Sequence, residues 1–241
     1  MTINTTTPQR LYLMQVASAA VPPHGLPFVC YLVQTGDGKN ILIDSGLPTE
    51  VPTRPGFPAV EHDKDVIEQL ALLGLKPGDI DILVCTHFDL DHAGHHDAFT
   101  NAELIVQRPH YELARGGHQR FAISRPQWDH PELRYRLIDG DSELLPGLEL
   151  IETSGHAPGH QSVLVRLPET GPVLLTIDAV PRQEAFTPDR TPGPFDDNLE
   201  QLKASTRKLL DLVEHERVSL VVFGHDGAQW QTLKKVPEYY S

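Results

Sequence analysis

The chain has 241 residues, 39% hydrophobic and 22% charged, the composition of a globular protein long enough to bury its own core. Its 20 Lys and Arg against 33 Asp and Glu leave a formal charge of −13, which argues against nucleic acid or an anionic membrane as a main partner. No run approaches the roughly 18 apolar residues of a membrane span, and the N-terminal stretch "MTINTTTPQRLYLMQVASAAVPPHG" lacks the charged start and apolar segment of a signal peptide, so the expected address is cytoplasmic.

In chain order, "RLYLMQVA" and "PFVCYLVQTGDGKNILIDSG" predict strands, the second a hairpin turned at "GDGKN". "DKDVIEQLALLGL" places Val66, Ile67, Leu70 and Leu73 at helical spacing. "DILVC" predicts a strand that runs straight into "THFDLDHAGHHD". "AELIVQ" follows as a strand and "RPHYELARGG" as a helix stopped by Gly116 and Gly117. "YRLIDGDSELLPGLELIETSG" reads as short antiparallel units, and "QSVLVRL" and "GPVLLTIDA" as paired strands. "NLEQLKASTRKLLDLVEHE" is the longest helical pattern and "VSLVVFGHD" the last strand. Residues 116–134 and 179–197 read as loops rich in Pro and charge, a kind that often carries function. Helices between strands in both halves predict an α/β fold. The expected form is one domain over residues 1–241, two mixed sheets with helices outside, a four-layer αβ/βα sandwich. Cys30 and Cys85 lie in apolar runs and are expected as buried free thiols.

Thirteen histidines are the compositional anomaly, and their placement carries the chemistry. "DILVC" leads into His87, Asp89, Asp91 and His92, "LELIETSG" into His156, "PVLLTI" into Asp178 and "LVVFG" into His225. Strand ends converge on one edge of a layered fold, so these seven side chains can meet. Imidazole mixed with carboxylate, and no cysteine, suits zinc, iron or manganese. Seven donors exceed the need of one tetrahedral ion and fit two ions about 3.5–4 Å apart sharing a carboxylate. A lone histidine at a strand end is more often a satisfied polar residue than a ligand. The H-x-D-x-D-H run is stronger, because alternate positions of an extended segment share a face, and buried, unneutralised Asp89 and Asp91 would be costly. His95 and His96 are expected on a helical turn after the motif, His160 as an orienting or backbone-satisfying residue, and His110 and His118 as lining the site. Phe28, Phe121, Trp128, Phe186 and Phe195 are candidates for an apolar groove or, equally, for the core.

"THFDLDHAG" and the Asp44 of "ILIDSG" resemble the signature of the metallo-β-lactamase superfamily. "VQRPHYELA", "HAPGHQSVLV", "GPVLLTIDA", "FGHD" and "VPEYY" extend the resemblance along nearly the whole chain, to its N-acyl homoserine lactone lactonases. The resemblance implies two divalent ions, zinc first. One would be held by His87, Asp89 and His156, the other by Asp91, His92 and His225, with Asp178 bridging. It implies a small lactone or ester as substrate, attacked at its carbonyl by a hydroxide shared between the ions, with Asp91 protonating the leaving alkoxide. A homodimer is suggested by resemblance alone, and a same-fold arylesterase, phosphotriesterase or phosphodiester hydrolase is the alternative. Two positions depart from the family pattern. Asp89 stands where histidine is usual, adding negative charge and favouring iron or manganese, and Pro181 stands where these lactonases carry a tyrosine that helps hold the substrate carbonyl.

Overall fold

The structure, a computed structural model, describes residues 6–51 and 58–241. Along β1 (Pro8–Ala19), Leu11 and Leu13 face one way and Tyr12 and Met14 the other, and all four are buried. A strand buried on both faces must lie inside a stack of layers. β1 belongs to a seven-stranded sheet with β2 (Leu26–Thr35), β3 (Asn40–Ile43), β4 (Val60–His62), β5 (Ile82–Val84), β6 (Glu103–Gln107) and β7 (Arg134–Ile138), in the order β4-β1-β2-β3-β5-β6-β7. The second sheet contains β8 (Ser142–Leu145), β9 (Leu148–Glu152), β10 (Gln161–Leu167), β11 (Gly171–Ile177) and β12 (Leu220–Phe223), in the order β12-β11-β10-β9-β8.

Between the sheets lies an apolar layer that includes Leu11, Leu13, Tyr31 and Ile105 from the first and Leu150, Val163, Leu175 and Val222 from the second. The outer face of the first sheet packs Met14 and Leu83 with Val66 and Leu70 of α1 (Val66–Leu72), whose start is fixed by a capping box between Asp65 and Glu68. The outer face of the second packs Leu164 and Leu174 against Leu209 of a 17-residue helix, Leu199–His215. These are the four expected layers. Cys30 and Cys85 are buried and unpaired, and no helix among the described residues is long and apolar enough to cross a membrane.

Strand direction positions the site. β3 and β5 are parallel, so Asp44 and the segment after Val84 emerge on one edge. β11 and β12 are parallel, and β9 is antiparallel to β10, which is antiparallel to β11, so β9, β11 and β12 share a direction. Their exits lead to His156, Asp178 and His225. The motif itself differs from the extended run expected from sequence. β5 stops at Val84, and a helical turn, α2 (Leu90–Ala93), starts inside the motif with Asp89 at its N-cap. Asp91 and His92 are therefore helical neighbours, and His96 begins a separate single turn, His96–Ala98.

Candidate metal centre

All seven sequence-predicted residues come together at the shared edge. Four imidazoles present Nε2 inward, because each Nδ1–H is engaged outward. His92 Nδ1 donates to Asp44 Oδ2 at 2.8 Å, His225 Nδ1 to the Pro27 carbonyl at 2.8 Å, and His156 Nδ1 to Asp196 Oδ1 at 2.9 Å. Thr86 Oγ1 gives its proton to Asp44 Oδ2 and so accepts from His87 Nδ1 at 3.1 Å. Outer partners of this kind fix tautomer and ring orientation.

The inward atoms form two triads, His87–Asp89–His156 and Asp91–His92–His225, with Asp178 facing both and a third, fully buried group, His87–His92–Asp178, joining them. Asp178 Oδ1 lies 3.3 Å from His92 Nε2, and Oδ2 lies 3.3 Å from His156 Nε2. Within the triads, Asp89 Oδ2 is 3.3 Å from both His87 and His156 Nε2, and Asp91 Oδ2 is 3.5 and 3.6 Å from His92 and His225 Nε2. A tetrahedron with bonds of about 2.0–2.2 Å has edges of about 3.3–3.6 Å. His87 Nε2, His92 Nε2 and Asp178 Oδ1 are buried without a hydrogen-bond partner, a costly arrangement unless something binds them. Donor chemistry, spacing and orphaned atoms fit a divalent cation.

The electrostatics point the same way. Burial drives His87 well below the ordinary histidine value, leaving a neutral ring with a free lone pair. Burial opposes charge on His92 too, but Asp178, Asp91 and Asp44 hold it well above that value. Asp178 is held well below the usual carboxylate range, because His225, His92 and His156 outweigh its desolvation.

Surrounding residues lock the loops. His110 accepts from the Phe88 amide at 2.8 Å through Nε2 and donates from Nδ1 to the Pro158 carbonyl at 2.6 Å, tying the motif to the His156 loop. Burial pushes His110 down to about 4. His160 Nε2 accepts from the Asp178 amide at 3.3 Å, and its Nδ1 meets Thr153 Oγ1 at 2.9 Å. His96, also buried, pairs with Ser45 Oγ at 2.7 Å, while the His95 amide donates to that same oxygen at 2.9 Å. His118 lies beside Phe121, with ring centroids 5.4 Å apart and tilted by 35°. Phe28, Phe121 and Trp128 are core residues, Trp128 stacked on Phe88, whereas Phe186 packs on Phe223 and Phe195 is exposed. At Pro181 the carbonyl accepts the His225 amide at 2.9 Å, so this residue braces a metal-site loop.

Sequence reasoning missed Arg120. This residue sits on a single turn, Gln119–Phe121, inside the 116–134 loop, and grips Asp89 with two bonds, Nε to Oδ1 at 2.8 Å and Nη2 to Oδ2 at 2.6 Å. Burial pulls the Asp89 carboxyl up, yet hydrogen bonds from Arg120, His156 and His87 hold it well below the usual range. The expected gain in negative charge at Asp89 is thus offset by a guanidinium.

Residues 26–225 match the family model described as the metallo-beta-lactamase superfamily. The chain belongs to that superfamily. A Bacillus relative named N-acyl homoserine lactonase is 36% identical over 225 residues, spanning 89% of this chain and 87% of its own. The N-acyl homoserine lactonase AttM of Rhizobium johnstonii is 34% identical over 96% of this chain and 98% of its own. A solved N-acyl homoserine lactone hydrolase, with the product N-hexanoyl-L-homoserine bound at its catalytic metal centre, superposes with a TM-score of 0.83 at 31% identity, covering 97% of this chain and all of that one. This superfamily member therefore shares fold and near-full length with metal-dependent lactone hydrolases.

Proposed function

We propose that the protein is a metal-dependent hydrolase that opens the lactone ring of N-acyl homoserine lactones, as a quorum-quenching enzyme does. The observation that carries this reading is the inward-facing His/Asp cluster around Asp178, with donors spaced as around an ion, in a chain 36% identical to a lactonase over 89% of its length. Zinc is the favoured cation for such a nitrogen–oxygen donor set, and two buried free thiols favour a reducing compartment. Bound there, a divalent cation supplies water acidic enough to ionise near neutral pH and polarises the ester carbonyl.

The chain's own residues do the rest. Asp44, Thr86 and the Pro27 carbonyl hold three imidazoles in the ligating tautomer. Asp91 shows Oδ2 to His92 and His225, while Oδ1 takes no hydrogen bond among the described residues and the side chain is 22% exposed. Such a carboxyl can carry a proton to the ring oxygen as the acyl C–O bond breaks, a general-acid role set by position. Attack adds hydroxyl to the acyl carbon and the ring oxygen leaves as an alcohol. Ranking N-acyl homoserine lactones, aryl esters and phosphotriesters by kcat/KM tests this reading, and lactones should lead. A clear preference for aryl esters or phosphotriesters would favour the same-fold alternative.

A further inference from the structure

The two donor triads are not equivalent. Among the described residues, no cationic side chain bonds the inward atoms of the Asp91–His92–His225 triad, which face Asp178, one another and the neighbouring His87. The His87–Asp89–His156 triad also meets Arg120, whose Nη2 lies 2.6 Å from Asp89 Oδ2 and 2.8 Å from His156 Nε2. These are two of the three atoms an ion would need there.

Three observations make the guanidinium and an ion mutually exclusive. The His156 Nδ1–H is committed to Asp196 at 2.9 Å, so Nε2 has one lone pair, and an Nη2–H already takes it. A protonated ring could not accept that N–H, so the contact requires the neutral ring. The distances also leave no room. An ion about 2.1 Å from both Asp89 Oδ2 and His156 Nε2 would lie within about 3.4 Å of Nη2, a dication against a guanidinium with no ligand between. Finally, Arg120 is anchored. Nε and Nη2 spend their hydrogens on Asp89 and His156. Nη1 donates to the His156 carbonyl at 2.7 Å, the Phe195 carbonyl at 2.8 Å and Asp197 Oδ1 at 2.9 Å. Every one of the five guanidinium donors is engaged by protein, so none is left to greet a substrate.

We propose that Arg120 takes the Asp89 and His156 atoms of one half-site, leaving His87 Nε2 beside His92 and Asp178, so that this chain tightly holds a single divalent ion, at Asp91, His92, Asp178 and His225. The inference rests on the metal-dependent reading above. Asp89 and Arg120 together act as a fixed ion pair where a second cation would otherwise sit.

Equilibrium dialysis of the full, chelator-stripped chain against Zn²⁺, with bound zinc counted by mass spectrometry, tests it directly. The wild type should bind one zinc per chain, with any second ion at least about 100-fold weaker. Arg120→Gln should bind two, and so should Asp89→His, which keeps a ligand at that position, now neutral, but removes the partner of the guanidinium fork. His225→Ala should lose the single tight zinc of the wild type. Two zincs bound by the wild type with affinities within about tenfold would overturn the inference, as would one zinc in a folded Arg120→Gln or retention of the tight zinc by His225→Ala. Circular dichroism establishes folding, and if Arg120→Gln fails to fold, the wild-type count and Asp89→His decide. No zinc at all would overturn the metal-dependent reading itself, whereas two in the wild type would overturn only the single-ion inference.

Discussion

Asp178 is the hinge of the donor set, because its two oxygens face opposite triads. Beside it, Asp91 combines a ligating oxygen with an accessible one. Asp91→Asn should leave a folded chain whose lactone kcat/KM falls about 10²–10⁴-fold, measured by ring opening; near-normal turnover would remove Asp91 from its acid role. His110 gives a prediction about stability. Its value in the folded chain, about 4, lies below the roughly 6.5 of an unfolded histidine. Between those values the unfolded chain binds the extra proton, so stability is lost as pH falls from about 6.5 to about 4, by about 3 kcal/mol from this residue. Urea midpoints across that range should fall towards acid, and more shallowly for His110→Gln; equal slopes would contradict the assignment. The seven donors were legible in the sequence because each follows an apolar strand, and strand ends must meet. Arg120 and Asp196 were not, since each comes from an irregular segment whose approach to the site is set by tertiary packing rather than by any local period.

At the scale of elements, the parallel pair β3 and β5 places Asp44 next to Thr86, and that contact aligns the first sheet's ligands. Asp44 sits at φ 58, a left-handed conformation that a strand end adopts here while its side chain accepts from the Thr86 amide and hydroxyl and from His92. Asp44→Ala should weaken zinc binding about 10–100-fold, by equilibrium dialysis of folded protein, because His92 loses its outward partner. An unchanged affinity would show that His92 needs no such brace. Gly155 shows the same economy between elements. With φ 137, a Cβ there would come within 2.3 Å of the Leu202 amide nitrogen, so only glycine lets the His156 loop rest on the long helix. The three longer helices and nearly every strand were readable from periodicity. The short turn Leu90–Ala93 was not, because four residues carry no detectable helical period and the alternation of charges suggested extended chain instead.

Across the whole molecule, two sheets with a shared apolar layer bring four strand exits to one edge, and the chemistry collects there. The layered architecture follows from sequence because strands buried on both faces and helices with one apolar face leave few other ways to cover each other. What the pattern could not reveal is how charge is balanced inside the site, which depends on a loop folding back over Asp89. The central claim is that this edge is a metal-dependent lactone-opening site. The most direct test is a pH-stat assay of N-acyl homoserine lactone ring opening by the chelator-stripped chain, before and after Zn²⁺ is returned. Ring opening should be lost on stripping and restored by zinc, with the proton released per ring opened appearing only in the reloaded protein. Ring opening that persists in the zinc-free chain, or a zinc-loaded chain that leaves lactones intact, would contradict the account.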